Sequence, residues 1–224
     1  MQIDILTLFP AMFKPILGES ILKRAQEKKK VIINIHNLRD WTHDKRRTVD
    51  DKPYGGGPGM VIKPEPVYEA CRDLCKKKTK VVLLTPQGKT FNHKQAKQLL
   101  KYKHLLLICG HYEGFDERIR GLADYEISIG DYILTGGEIP AMVVADSVVR
   151  LIPGVLGEVE SLLSESFSAN LLEYPQYTRP RVYRKLKVPD VLLCGDHKKI
   201  EKWRKQQALI RTRKKRKDLL LNKD

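Results

Sequence analysis

Four glycine-rich stretches hold the residues of this 224-residue chain best suited to gripping a ligand: YGGGPGM at 54–60, TPQG at 85–88, CGHYEGFDERI at 109–119 and SIGDYILTGGE at 128–138. Glycine adopts positive φ without steric penalty and lets a ligand come close to the main chain. Each loop can therefore offer backbone N–H and C=O groups to a polar partner. One glycine cluster is usually a turn. Several at successive strand ends argue for one composite pocket, in the place where open α/β sheets bind ligands.

Charged residues near these loops have two readings. Glu113, Asp116 and Glu117, followed by Arg118 and Arg120, either start an ion-paired helix, the commoner case for acidic residues at a helix N-terminus, or place a carboxylate in the pocket. The stretch from 39 to 53, with Arg46, Arg47, Asp50 and Asp51, is either a solvated loop or an RNA contact. Arg150 falls at the end of an apolar helix, where an unpaired charge is costly and a partner is required. Familiar fingerprints are missing. No G-x-G-x-x-G follows a strand and no G-x-x-x-x-G-K-[ST] occurs, so a dinucleotide fold or phosphate loop has no support. The six histidines form no H-E-x-x-H, no G-x-S-x-G is present, and Cys71, Cys75, Cys109 and Cys194 form no C-x-x-C pair. These cysteines read as ordinary thiols in a reducing compartment, the cytoplasm, and no metal ligands are expected.

The elements that would position the loops follow from apolar patterning. QIDILTLF, KVVLLT, HLLLIC and YEISI have strand length and β-forming composition. Between them, 19–29, 65–77 and 93–101 read as helices, and the alternation predicts an α/β unit with a largely parallel sheet. Met142, Ala145, Val149 and Ile152 recur at helical spacing after the last glycine loop, up to the stop at Pro153-Gly154. Residues 158–170 are Ser/Glu-rich and aperiodic, as in a linker or lid. A basic helix is then expected from the cap Asp196, with Ile200, Trp203 and Ile210 on one face.

Composition is globular, with 42% hydrophobic and 31% charged residues, but the 42 Lys+Arg against 27 Asp+Glu give a net charge of +15. From Gly195 onward 12 basic and 4 acidic residues supply 12 − 4 = +8 of that charge. A charge run is most often a solvated face; this concentration points to phosphates of a nucleic acid. No apolar run reaches the ~18 residues of a membrane span, and MQIDILTLFP lacks a signal peptide's basic start.

RTVDDKPYGGGPGM, CGHYEGFDERI, SIGDYILTGGEIPAM, SVVRLIPGVLG, LLEYPQYTRP and VPDVLLCGDHKKIEKWR, in this order, closely resemble the bacterial tRNA (guanine-N1)-methyltransferase family over most of the chain. The resemblance implies a SPOUT-type α/β domain over 1–157 with a deep trefoil knot, an interdomain linker or lid over 158–173, and a small all-helical, basic tRNA-binding domain over 174–224. It also implies a homodimer with active sites at its interface. S-adenosylmethionine would lie bent in the knot on Leu84, Thr85, Gly110, Ile129, Gly130, Asp131, Tyr132, Ile133, Leu134, Gly136 and Gly137. The family methylates N1 of the guanine just 3′ of the anticodon. That nitrogen must lose a proton, which calls for a general base and for a cation near O6. The resemblance assigns charge stabilisation to Arg150, the base to the carboxylate at Glu165, and a supporting role, through Mg2+ or the base, to Glu113. Here the sequence departs from the family, which has aspartate where Glu165 stands and glycine where Asn170 precedes the leucines. Glutamate is one methylene longer, so either the linker has shifted to compensate, or the enzyme is slower or uses another base such as Glu173; an RNA-binding relative without catalysis is one rival reading. A SPOUT-type ribosomal RNA methyltransferase is the other rival.

Overall fold

The structure, a computed structural model, describes residues 1–156 and 165–221. The chain divides into two compact units, Met1–Gly157 and Glu158–Asp224. Part of the expected linker, 158–164, lies outside the described residues.

The first unit is built on a five-stranded parallel sheet in the order β2-β1-β6-β5-β7, formed by β1 (Gln2–Thr7), β2 (Ile32–Asn37), β5 (Thr79–Thr90), β6 (His104–Cys109) and β7 (Tyr125–Ser128). Every residue of β6 is buried, as a central strand covered on both faces requires. The short pair β3 (Asp50–Asp51) and β4 (Val61–Ile62) is antiparallel and brackets the YGGGPG loop. Helices α1 (Lys14–Leu17), α2 (Ser20–Glu27), α3 (Pro64–Leu74), α4 (His93–Leu100) and α5 (Glu138–Val149) connect and cover the strands. The helix α4 starts with a capping box between Asn92 and Gln95, and α3 carries Pro at its first turn.

Four strands stand where apolar runs predict them, whereas β2 has no such run. It alternates Ile with Asn and His at the sheet edge, and its first residue, Ile32, is 58% exposed. Its polar side chains instead serve a buried network. Asp4 on β1 accepts from Asn34 at 2.7 Å and faces His36 at 3.2 Å, both on β2, and His104 of β6 at 2.6 Å.

In the second unit residues 165–173 fold into turns against α6 (His197–Lys215), where Leu172 N–H donates to Thr212 Oγ1 at 2.8 Å and Arg211 donates to the Glu173 carbonyl. Asn170 has φ 54. A left-handed residue is what the family's glycine would provide, and asparagine is among the few others that take it readily. The expectation of an all-helical domain is corrected. The strands β8 (Val182–Tyr183) and β9 (Leu186–Lys187) form an antiparallel ribbon, turned by Arg184 and Lys185 at φ 46 and 65. Neither is a usual residue for such a turn, so the pattern had no hairpin signal. Asp196 caps α6 as expected, accepting from Lys199 N–H. Its buried positions are Ala208 and Thr212, however, and Ile210 is 49% exposed. The short α7 (Asp218–Leu221) follows.

Candidate active site

At the C-terminal ends of β5, β6 and β7 three loops enclose a cleft of about 280 Å3. The first is TPQG. Both Leu84 and Lys89 of β5 pair with Ile127 of β7, so residues 85–88 bulge out of the ladder before β5 resumes its pairing at that same residue. That detour carries Thr85 and Pro86 to the cleft wall. The second follows β6 through Gly110, His111, Tyr112 and Glu113, and the third follows β7 from Ile129 to Gly137.

Main-chain contacts fix these loops to one another. Gly137 N–H donates to the Gly110 carbonyl at 2.7 Å, and His111 and Gly136 form an isolated antiparallel bridge. A side chain at Gly137 would meet the Cys109 Cα and the Gly110 nitrogen at 2.7 Å, so only glycine permits this crossing. Gly130 has φ 154 and turns the third loop back. The Ser128 hydroxyl holds that turn, donating to the Gly130 carbonyl at 3.0 Å and accepting from its N–H at 3.2 Å.

Behind the glycines lies Glu138, 2% exposed at the start of α5, where a carboxylate suits the positive end of the helix. It accepts from the Thr7 hydroxyl at 2.8 Å, and its other oxygen faces His111 Nδ1 at 4.0 Å. The His111 ring packs on Phe9 and Tyr112 at centroid distances of 4.8 and 5.0 Å. Burial, and then the Glu138 charge, push the Cys109 thiol well above its ordinary range, so it stays neutral. Burial and the negative Asp50 likewise raise the Tyr112 phenol, although Arg39 opposes them. Both of those charges come from the 39–53 stretch, which therefore lies beside the cleft mouth.

Of the residues named from sequence, Leu84, Thr85, Gly110, Ile129, Gly130, Tyr132, Ile133, Leu134, Gly136 and Gly137 line this one cleft. Asp131 is exposed and is not among its lining. Glu113 is on the exposed rim, its N–H bonded to the Met60 carbonyl and its side chain against Gly59 of the YGGGPG loop. Asp116, Glu117, Arg118 and Arg120 are ion-paired around a short 3-10 helix, the structural alternative of the two weighed above. Arg150 caps the C-terminal end of α5. Ten residues separate it from the cleft-lining Pro140, about 15 Å along a helix at 1.5 Å per residue. Glu165 belongs to the second unit, where its carbonyl accepts from the Ser168 hydroxyl and N–H. Sequence reasoning missed Glu138 and His111 as parts of the site. Both stand inside quoted blocks, adjacent to Gly137 and Gly110, and that adjacency was the available signal.

A five-stranded parallel sheet with a glycine-walled cleft at its strand ends is consistent with the class of the SPOUT-type methyltransferases. The profile of the family described as "tRNA (Guanine-1)-methyltransferase TrmD" matches residues 1–222. The tRNA (guanine-N(1)-)-methyltransferase of Dictyoglomus turgidum is 59% identical over 220 residues, covering 98% of this chain and 90% of that protein. Its namesakes from Bacillus subtilis and Carboxydothermus hydrogenoformans are 57% and 59% identical, over 98% of this chain and 92% and 87% of theirs. The chain belongs to the tRNA (guanine-N1)-methyltransferase family.

Proposed function

We propose that this protein transfers a methyl group from S-adenosylmethionine to N1 of the guanine 3′ of a tRNA anticodon. The observation that carries the proposal is the meeting of ten separately named loop residues in a single strand-end cleft. The cleft suits the donor: main-chain groups and the Thr85 hydroxyl are available to an adenosine, while Leu134 and Ile133 supply apolar wall. When bound, S-adenosylmethionine supplies an electrophilic methyl on a sulfonium. The protein's part is proton and charge handling. Glu165 takes the N1 proton, Arg150 offsets negative charge growing on O6, and Glu113, the carboxylate at the rim, supports them. Any Mg2+ would be held by Glu113 together with substrate oxygens, since magnesium is commonly bound by one or two carboxylates plus substrate and water.

The active unit is a homodimer. Its α5 is apolar almost all round and leaves Ile139 and Val143, one turn apart, 48% and 38% exposed. Such a face requires a partner. The ~15 Å between Pro140 and Arg150 further favours an arginine delivered by a second copy. The Gly137–Gly110 crossing is what a trefoil knot around the cleft would require. No helix among the described residues is long and apolar enough to cross a membrane, and the place of action is taken to be the cytoplasm.

Labelled methyl transfer to a tRNA transcript with guanine 3′ of the anticodon, against one with adenine there, tests the function; equal or absent labelling overturns it. Glu165→Gln lowers the single-turnover rate about 100-fold or more, the usual worth of a positioned base. A wild-type rate would move the base elsewhere.

A further inference from the structure

The second unit holds a cleft of about 480 Å3 that the methyl-transfer chemistry leaves unused. It is built by the two blocks LLEYPQYTRP and VPDVLLCGDHKKIEKWR, which lie apart in sequence and meet here. One wall is a stack, with the Arg204 guanidinium 4.9 Å from the centroid of the Tyr174 ring. Tyr177, 49% exposed, stands on the rim with Arg179 and Arg181. The floor is aliphatic, from Val188, Leu192 and Ile200.

Flat π surfaces over an apolar floor, with arginines at the mouth, match the chemistry of an unstacked nucleobase and its phosphate. Charge selects the same partner. The helix α6, which contributes Ile200 and Arg204 to the cleft, carries nine Lys/Arg and one Glu. Arg181 makes an exposed pair with Asp190 at 3.2 Å, a contact that a phosphate readily replaces. We infer that this cleft takes one unpaired nucleotide of the RNA substrate, distinct from the methylated guanine. Its base would stack on Tyr177 and the Tyr174–Arg204 pair, and its phosphate would meet Arg179 and Arg181. The inference rests on the tRNA reading above and extends it to a second recognition point.

The test uses full-length protein and tRNA transcripts that each carry one abasic nucleotide at an unpaired position. Binding is followed by fluorescence anisotropy, and S-adenosylmethionine affinity separately by calorimetry. Tyr177→Ala weakens tRNA binding about 5- to 100-fold, the usual worth of one stacked base, and leaves methyl-donor affinity unchanged. One abasic position other than the methylated guanine is penalised in wild type and not in Tyr177→Ala. Arg179→Gln, which keeps the stack, lowers the salt slope by about one. Wild-type binding of every transcript by Tyr177→Ala, or equal penalties at every position in both proteins, would overturn the inference. Wild-type protein that binds the methyl donor and no tRNA would instead overturn the proposed substrate, and the cleft's role with it.

Discussion

Asp4 is 2% exposed, yet its carboxyl is held at about 2, below its ordinary 3.8. Burial alone would raise it; the hydrogen bonds from His36, Asn34 and His104 together outweigh that effect. A depressed folded-state value means stability that is present above pH ~3.8 and lost as pH falls toward 2, worth about 2 kcal/mol for a shift of this size. Unfolding of wild type and Asp4→Asn, followed from pH 7 to pH 2, is expected to show a gap that narrows by about this amount in the acid range. A constant gap would place the ionised form elsewhere. Asp4 could be seen in the sequence as a charge inside an apolar run, but its partners could not, because Asn34 and His104 meet it only once β2 and β6 flank β1. Glu138 was hidden for the same reason: it reads as an ordinary helix-start carboxylate until Thr7, 131 residues earlier, donates to it.

Among the elements, the strand-end loops were the most legible, because glycine marks them whatever the surroundings. Gly137→Ala puts a methyl against main-chain atoms that cannot swing away. It is expected to cost about 1–3 kcal/mol, the range for overpacking, and to weaken methyl-donor binding by calorimetry. Unchanged melting and binding would show that the crossing is looser than it stands. The edge strand β2 and the β8–β9 ribbon were illegible, the first because its polar side chains point to a buried network, the second because arginine and lysine fill a turn that usually announces itself with glycine or asparagine. The basic end of α6 differs from its sequence reading in one respect. Arg216 is paired in two directions with Asp218, at 2.9 and 2.7 Å, so its charge is already answered. Neutralising Lys214, Lys215 and Lys217 together is expected to lower the salt slope of tRNA binding by about 2–3, whereas Arg216→Gln changes it by less than one. Equal effects from all four would contradict this division.

At the scale of the whole molecule, the cleft and Arg150 make opposite demands on one chain, and mixing separates them. In a dimer whose site joins the cleft of one copy to Arg150 of the other, Glu113→Ala mixed with Arg150→Ala regenerates one intact site in each heterodimer. Random pairing then restores about a quarter of wild-type activity by the symmetry of a two-fold assembly. No restoration would place both groups in one copy's site. A parallel sheet could be read from the apolar runs, but the order of its strands could not: β1 lies beside β6, and the third loop returns to the β6 loop at the Gly137–Gly110 crossing, which brings Glu138 to Thr7. The bond from Thr7 to Glu138 therefore also has a place in time. At synthesis rates of about 5–20 residues per second, Thr7 is made roughly 7–26 s before its acceptor. A nascent chain stalled before α5 already owns all five strands and every cleft-lining residue but Pro140, yet it lacks the carboxylate that ties β1 to the third loop, so the cleft is fastened only when Glu138 emerges.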